Sequence, residues 1–186
     1  CIFYNNKAGS GANAINYNST KTSIFNSIFW DNDVASSTFY NNSATITNSI
    51  VEGGYVGTGN LNSNPLFVDA SSNDFRLQAC SPAINSGNVS GLSMYLSEYD
   101  LDFKERIVNA IDMGAYEYKL ENTVSFNGTD LSTNATGANL TYQWLNCDDN
   151  TYIVGSTSSA LTVTADGNYA VIVTDNSCQI DTSACT

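Results

Sequence analysis

The sequence predicts an all-β fold, in which the end of a parallel β-helix is followed by a small β-sandwich. Similar strand-like segments repeat near the start of the chain, and apolar residues alternate with polar ones near its end. Charged residues make up only 13% of the 186 residues, while turn-forming Asn, Ser, Thr and Gly are abundant. No segment longer than about two turns has the apolar period of an amphipathic helix.

One short motif occurs three times in the first 54 residues. It reads CIFYNN at 1–6, SIFWDN at 27–32 and SIVEGG at 49–54, so the spacings are 26 and 22 residues. Such a period, with short strands and Asn-rich corners, fits the coils of a parallel β-helix. Asn26 and Asn48 occupy equivalent positions and would stack as an amide ladder at one corner. The alternative is a meander of antiparallel hairpins, which the lack of Asn-Gly turns between the strands disfavours.

The middle of the chain carries a series of further motifs. They read NPLFVD from 64, DFRL from 74, SPAINSG from 81, DLDFKER from 100 and IDMGAYEY from 111. In this order, over about 61–118, they resemble the closing segment of bacterial surface β-helix proteins, the pectate-lyase-like group often called choice-of-anchor domains. The resemblance implies a right-handed parallel β-helix whose last coils precede this segment. The insertion at 91–99 departs from the family pattern.

Residues 120–186 contain seven acidic residues and no Lys or Arg. Alternation around Trp144, at 161–164 and at 169–174 predicts six or seven short strands in a small Ig-like β-sandwich. Trp144 stands at the position of the core tryptophan of that fold. The run ending at Tyr169, DGNY, indicates a tyrosine corner whose hydroxyl returns to the upstream backbone. Val171 occupies the place of the usual second cysteine, so the ordinary inter-sheet disulfide is missing.

The cysteine spacing favours disulfides over a metal site. No CxxC pair occurs, and three cysteines lie in the last forty residues, which suits a disulfide in an exported domain. If the strands around Trp144 and Tyr169 pair antiparallel, Cys147 and Cys185 lie at the same end of the sandwich. We therefore favour that bridge, with Cys178 left free or paired differently. The five cysteines are Cys1, Cys80, Cys147, Cys178 and Cys185.

The last stretch is similar to the Ig-like modules that precede the sorting domain in large secreted proteins of gliding and marine Bacteroidetes. The motifs YQWLNC at 142–147, GNYAV at 167–171 and DTSAC at 181–185 carry this similarity. It implies export by the type IX secretion system, an extracellular or cell-surface location, and contact with the translocon and its shuttle proteins during export. Because the chain starts at Cys1 without a methionine or signal peptide, we expect it to be a fragment of a longer protein.

Charge and composition argue against several classes of function. The net charge is −12, from 18 acidic and 6 basic residues that form no basic patch. Nucleic acids and anionic membranes require clustered cations, so neither is an expected partner, and no apolar run is long enough for membrane insertion. Histidine is absent, which removes the Ser-His and Cys-His nucleophile systems and the best zinc ligand.

Polysaccharide enzymes built on β-helices need acidic calcium ligands with an Arg or Lys base, or a pair of carboxylates. The predicted coils offer only Asp31, Asp33 and Glu52, with Lys7 and Lys21 as the nearest cations. This set is too sparse to predict catalysis.

The densest charge cluster lies in the closing segment. Alternation would place Asp100, Asp102 and Lys104 on one face of an extended strand, as a carboxylate pair or a calcium site. We prefer a structural interpretation, in which Arg106 and Asp112 tie the closing segment to the end of the β-helix by charged hydrogen bonds. The same interpretation applies to Arg76. The cluster consists of Glu98, Asp100, Asp102, Lys104, Glu105 and Arg106.

Two further groups have a functional and a structural interpretation. Asp148, Asp149 and Asn150 offer oxygens to calcium, but no acidic residue follows at a helpful spacing, so a solvated turn is preferred. A set of aromatic residues would form a sugar-stacking strip or, as we prefer, core and coil-stacking positions. This set is Tyr4, Tyr17, Phe29, Trp30, Phe39 and Tyr40.

We therefore predict β-helix coils and their closing segment at 1–118 and an Ig-like sandwich at 120–186, with no catalytic, cofactor-binding or metal-binding residue assigned. The predicted function is structural, as a stalk of a secreted surface protein of adhesin or glycan-binding type. Two alternatives stay open: the C-terminal part of a polysaccharide lyase or hydrolase with its active site in upstream coils, and a calcium-dependent adhesive module. The uncapped first coil predicts edge-to-edge association of the isolated chain.

Overall fold

The protein is all-β, as predicted. The computed structural model describes residues 1–7, 15–16, 22–32, 39–40, 44–90 and 97–186, and these contain strands and one short 3₁₀ helix but no α-helix. They divide into two compact units, Cys1–Tyr118 and Lys119–Thr186, here called unit 1 and unit 2. None of the described residues forms a helix that is long and apolar enough to cross a membrane.

Strands in the first part of unit 1 pair in parallel. β1, β4 and β7 form one sheet, β2 pairs with β5, and β3 pairs with β6. Ile2 is level with Ile28, and Ile28 with Ile50, so the sequence repeat is also the register of the sheet. The antiparallel meander is therefore wrong for these strands. The strands are β1 (Ile2–Tyr4), β2 (Ile15–Asn16), β3 (Thr22–Phe25), β4 (Ile28–Trp30), β5 (Phe39–Tyr40), β6 (Ala44–Thr47) and β7 (Ile50–Val51).

Equivalent Asn-Ser corners join β3 to β4 and β6 to β7. Asn26 and Asn48 adopt left-handed backbone conformations with φ of 48° and 47°, which asparagine tolerates better than most residues. The hydroxyls of Ser27 and Ser49 each donate to the carbonyl two residues earlier, at 2.8 and 2.9 Å. The Ser49 hydroxyl also accepts from the Ser27 amide at 3.1 Å, which links the two corners.

The amide ladder predicted between Asn26 and Asn48 is wrong, because no bond joins these two described side chains. Both ends of the Asn26 amide bond to the backbone of Asn88, each at 2.8 Å. An amide–amide contact joins instead the equivalent residues Asn6 and Asn32, where the Asn6 Nδ2 donates to the Asn32 Oδ1 at 2.8 Å. The Asn26 side chain thus holds residues 61–118, here called the closing segment, and does not bond to Asn48.

The sheet of β1, β4 and β7 is buried on both faces. One face carries Phe29 and Val51, which pack with Ile24 and Ile46 of the neighbouring sheet. The Phe29 ring stacks on Phe3 at a centroid distance of 4.6 Å. The opposite face carries Ile28 and Ile50, and residues of the closing segment cover it. These are Phe67, Leu77, Ala83, Ile84 and Met113.

The closing segment continues the stack and then folds back over it. Ile50 forms a parallel bridge to Leu61, after which β8 (Phe67–Asp69) and β9 (Asp74–Leu77) pair antiparallel. Gly114 has φ of 112°, and a Cβ there would lie 3.0 Å from the Ile28 side chain. The glycine of the IDMGAYEY motif thus permits the close approach of this segment to the parallel sheet.

Unit 2 has two antiparallel sheets, in the orders β10-β11-β14 and β13-β12-β15-β16. Its seven strands agree with the predicted six or seven. They are β10 (Val124–Phe126), β11 (Asp130–Thr133), β12 (Leu140–Asn146), β13 (Thr151–Tyr152), β14 (Ala160–Thr162), β15 (Tyr169–Asp175) and β16 (Gln179–Thr182). Both sheets contribute to one core of Leu131, Trp144, Leu161, Tyr169, Val171 and Val173.

Two predicted features of this core are confirmed. Trp144 is fully buried, and its indole nitrogen donates to the Ser158 carbonyl at 2.8 Å. The Tyr169 hydroxyl donates to the carbonyl of Ala165 at 2.9 Å, which is the upstream backbone contact of a tyrosine corner.

The predicted Cys147–Cys185 disulfide is also confirmed, with a Cα–Cα distance of 6.3 Å. It forms because β12 and β15 are antiparallel, as the pairing of Trp144 with Val171 shows. Cys80 and Cys178 are disulfide-bonded too, so the option of a free Cys178 is wrong, and Cys1 is free. Two disulfides fit an oxidising environment.

Candidate functional site

Four charged side chains of the closing segment come together in a buried cluster, here called the closing-segment cluster. It consists of Asp100, Arg106, Asp112 and Glu117. The three acidic residues are 9%, 1% and 5% exposed, and the Arg106 side chain is 11% exposed. Burying four charges is unfavourable unless each is paired and hydrogen-bonded, so their partners decide what the cluster does.

Arg106 is the centre of the cluster. Its Nη1 donates to the Glu117 carboxylate at 2.6 Å, and its Nη2 donates to the carbonyls of Asp112 and Gly114, both at 3.1 Å. The guanidinium therefore compensates one buried carboxylate and crosslinks the backbone of the IDMGAYEY motif.

The carboxylates of Glu117 and Asp112 accept hydrogen bonds from the backbone. Glu117 accepts from the amides of Val108 and Asp112, both at 3.1 Å. Asp112 accepts from the amides of Asn85 and Tyr118 at 2.7 and 2.6 Å. Together these bonds hold three separated stretches of the closing segment in one place.

Asp100 closes a tight turn, so the predicted strand at 100–104 is wrong. One oxygen of its carboxylate accepts from the amides of Asp102 and Lys104 at 2.8 and 2.9 Å, and the other accepts from the Glu117 amide at 2.9 Å. The side chains of Asp102 and Lys104 are exposed. A short Asp side chain that bonds the following amides competes with the extended conformation, which explains the turn.

Electrostatics within the cluster shift two pKa values. Burial, with the nearby charge of Asp112, raises the pKa of Glu117 to about 7. Burial also raises the pKa of Asp112 above its ordinary value. Every carboxylate oxygen of the cluster accepts at least one hydrogen bond from the protein, so the arrangement suits a structural lock. Within the part of the chain that the structure describes, no group of three His, Cys, Asp or Glu residues is placed to hold a metal ion.

The predicted role of Arg106 and Asp112 needs one correction. Among the described residues, their side-chain partners lie within the closing segment, between residues 85 and 118, and not on the parallel strands. The closing segment is held to the parallel strands by the Asn26–Asn88 bonds, by the Gly114 amide donating to the Asn26 carbonyl at 2.9 Å, and by apolar packing. Arg76 pairs with Asp74 at the surface, a contact that contributes little stability.

The candidate carboxylates near the parallel strands form no acid–base arrangement among the described residues. Asp31 lies in a left-handed bend with φ of 55°, and its amide donates to the Glu52 carboxylate at 2.6 Å. Lys7 is exposed, while Asp33 and Lys21 lie outside the described residues.

Asp148 and Asp149 stabilise a turn, as preferred from the sequence. The Asp148 carboxylate accepts from the side chain and the backbone of Asn168 at 2.8 and 3.1 Å. Asp149 accepts from the amide and the hydroxyl of Thr151 at 3.1 and 2.7 Å. Asn150 completes the turn with φ of 57°.

The predicted aromatic residues whose side chains the structure describes pack in or against an apolar core, as preferred. Phe29 is 1% exposed, and Tyr4 and Trp30 pack against the core of Ile28 and Ile50. Tyr17 and the side chains of Phe39 and Tyr40 lie outside the described residues.

Sequence reasoning missed the participation of Glu117. A signal was present, because Glu117 stands between two tyrosines in a segment that is otherwise mostly apolar or small. A carboxylate in such a segment is usually paired when it is buried.

No protein-family model matches the chain, and neither the curated proteins nor the solved structures contain a significant match.

Proposed function

We propose that this chain has a non-catalytic, structural function in a secreted cell-surface protein of adhesin or glycan-binding type. Unit 1 would be the end of a right-handed parallel β-helix with its closing segment, and unit 2 an Ig-like spacer. The observation that carries the proposal is the in-register parallel stack of β1, β4 and β7, covered on one face by a segment whose buried charges are engaged internally.

The strand order supports the β-helix interpretation. The series β1–β2–β3 recurs as β4–β5–β6, and each strand pairs in parallel with its counterpart. Equivalent corners are made by equivalent residues, Asn26 and Asn48. In such repeats each coil contacts only its neighbours, so the architecture suits extended stalks.

Features of unit 2 support a spacer module of an exported protein. Two antiparallel sheets enclose a core tryptophan, and a tyrosine corner is present, as in Ig-like sandwiches. The Cys147–Cys185 disulfide of this unit is compatible with an oxidising compartment. Export by the type IX secretion system, with its translocon and shuttle proteins as transient partners, rests on the motif resemblance of residues 142–185 alone.

Antibody labelling of intact cells that produce the protein tests the proposal. An antibody against unit 2 is expected to label intact cells, and labelling is expected to disappear when the type IX translocon is deleted. Signal only after permeabilisation would contradict a surface function. Surface signal that persists without the translocon would contradict the export route but leave the surface function in place.

A further inference from the structure

Unit 2 carries a depression of about 500 Å³ on the sheet face that points away from its core, here called the outer-face depression. Leu145 pairs with Tyr152 on one side and Ala170 on the other, so these side chains form one row across β13, β12 and β15. Ile172 and Thr182 form the adjacent row across β15 and β16. Because side chains alternate along a strand, both rows face away from Trp144 and Val171 of the core.

A central sheet and a disulfide form the floor and the wall of the depression. Leu145 and Ala170 form the floor and are 9% and 1% exposed. The Cys147–Cys185 disulfide closes one end. A site formed by a central sheet and a covalent crosslink costs little ordering entropy when it binds a ligand.

The rim of the depression presents an aromatic ring beside neutral polar groups. Tyr152 is 65% exposed, and Asn150 and Thr182 are exposed next to it. Within the described residues, the side chains of these three residues make no hydrogen bond. They are therefore available to a ligand.

The lining contains no Asp, Glu, Lys or Arg, although unit 2 has seven acidic residues in 120–186. A ligand with a formal charge would find no partner there, and an anion would be repelled by the surrounding carboxylates. The volume lies within the range of about 300–1,000 Å³ that is typical of small-molecule sites.

We propose that the outer-face depression binds a neutral carbohydrate. The apolar face of a sugar ring would stack on Tyr152, and its hydroxyls would bond to Asn150 and Thr182, since an aromatic ring with a polar surround matches a ligand with one apolar face and a polar edge. This proposal deepens the glycan-binding character proposed above and rests on it, whereas the surface location is tested separately by antibody labelling.

Native gel electrophoresis of the full chain in gels that contain a polysaccharide tests the proposal. The neutral probes are hydroxyethylcellulose, laminarin, galactomannan and dextran, and the anionic probes are alginate and polygalacturonate. At least one neutral probe is expected to retard the chain. Tyr152→Ala should weaken this affinity about tenfold, which corresponds to about 1.4 kcal/mol, whereas Tyr152→Phe should retain most of it. Val154→Ala is the matched control, because this neighbouring side chain is 97% exposed.

Two smaller changes keep the test independent of folding defects. Thr182→Val removes a hydroxyl at nearly constant shape, and Asn150→Gly removes the amide at a backbone position that glycine adopts freely. Both should weaken retardation. Retardation by no neutral probe, by anionic probes only, or to the same extent in Tyr152→Ala would overturn the proposal. A second readout is the amide chemical shifts of the chain during titration with a soluble oligosaccharide of the retarding polymer. Shift changes that map away from Leu145, Tyr152 and Ala170 would also overturn the proposal.

Discussion

Replacing Glu117 by Gln tests the electrostatic account of the closing-segment cluster. The substitution keeps the size of the side chain and removes its titration. A Gln amide has fewer acceptor sites than the carboxylate for the bonds from Val108, Asp112 and Arg106. A loss of stability that does not depend on pH is therefore expected as well. The informative quantity is therefore how the difference in the free energy of unfolding between variant and parent changes with pH.

The sign and the size of that change follow from the raised pKa of Glu117. An ordinary value of 4.5 in the unfolded chain and about 7 in the folded protein mean that the folded state binds more protons between these pH values. The parent protein therefore loses stability as pH rises from about 4.5 to about 7, by about 3 kcal/mol at about 1.4 kcal/mol per pKa unit. The Gln variant lacks this loss, so relative to the parent it should gain about 3 kcal/mol between pH 4 and pH 8.

Fluorine NMR allows unit 1 to be followed separately. Trp30 lies in unit 1 and Trp144 in unit 2, so a chain labelled with 5-fluorotryptophan gives one resonance for each unit. Urea titrations read from the Trp30 resonance at pH values between 4 and 8 give the free energy of unfolding. Glu105→Gln serves as the matched control, because Glu105 is an exposed carboxylate of the same segment.

A constant difference between Glu117→Gln and the parent across this pH range would refute the reasoning. Carboxyl ¹³C NMR gives an independent readout, since the Glu117 resonance should titrate near pH 7. Titration near 4.5 would mean that Arg106 and the backbone amides lower the pKa of Glu117 as much as burial and the charge of Asp112 raise it.

Three further changes should have separable effects on stability. Ile28→Ala should destabilise unit 1 by about 2–5 kcal/mol, because removal of this fully buried side chain leaves a cavity. The control is Val56→Ala at an exposed site. If chemical denaturation shows no larger loss of stability for Ile28→Ala than for this control, the packing described is contradicted. Tyr169→Phe should cost about 1 kcal/mol through the lost tyrosine-corner hydrogen bond, and an unchanged melting temperature of unit 2 would show that the bond adds nothing. Replacing Cys147 and Cys185 together by Ser should cost about 2–4 kcal/mol, given their separation of 38 residues; equal urea midpoints for variant and parent would contradict this value.

The sequence predicted those parts of the fold in which one local pattern sets one local structure. The repeated motif placed Ile2, Ile28 and Ile50 in register, because stacked strands require the same kind of residue at each level. The tyrosine corner was predictable in the same way, since Tyr169 bonds to a carbonyl only four residues earlier. Antiparallel pairing across Trp144 then brought Cys147 to Cys185.

Contacts between distant residues were not predictable from spacing. Arg106 finds Glu117 eleven residues later, and Asn26 finds Asn88 at a separation of 62 residues. Neither distance corresponds to a helix or strand period. Alternation also failed at Asp100, because it counts side chains and ignores a carboxylate that bonds the next amides of its own turn.

The closing segment completes the core of the parallel strands, because it packs on one face of their sheet as well as following the last strand. Ile28 and Ile50 face away from the interior that Phe29 and Val51 share with the neighbouring sheet, and the closing segment buries them. Without this segment the repeats would expose an apolar sheet face, at a cost of about 1.5–3 kcal/mol for each large side chain. The internal bonds of the closing-segment cluster give this cover a fixed shape. The parallel strands and the closing segment are therefore expected to fold as one cooperative unit. The stability of the parallel strands should then depend on Arg106, although among the described residues no side-chain bond joins Arg106 to these strands.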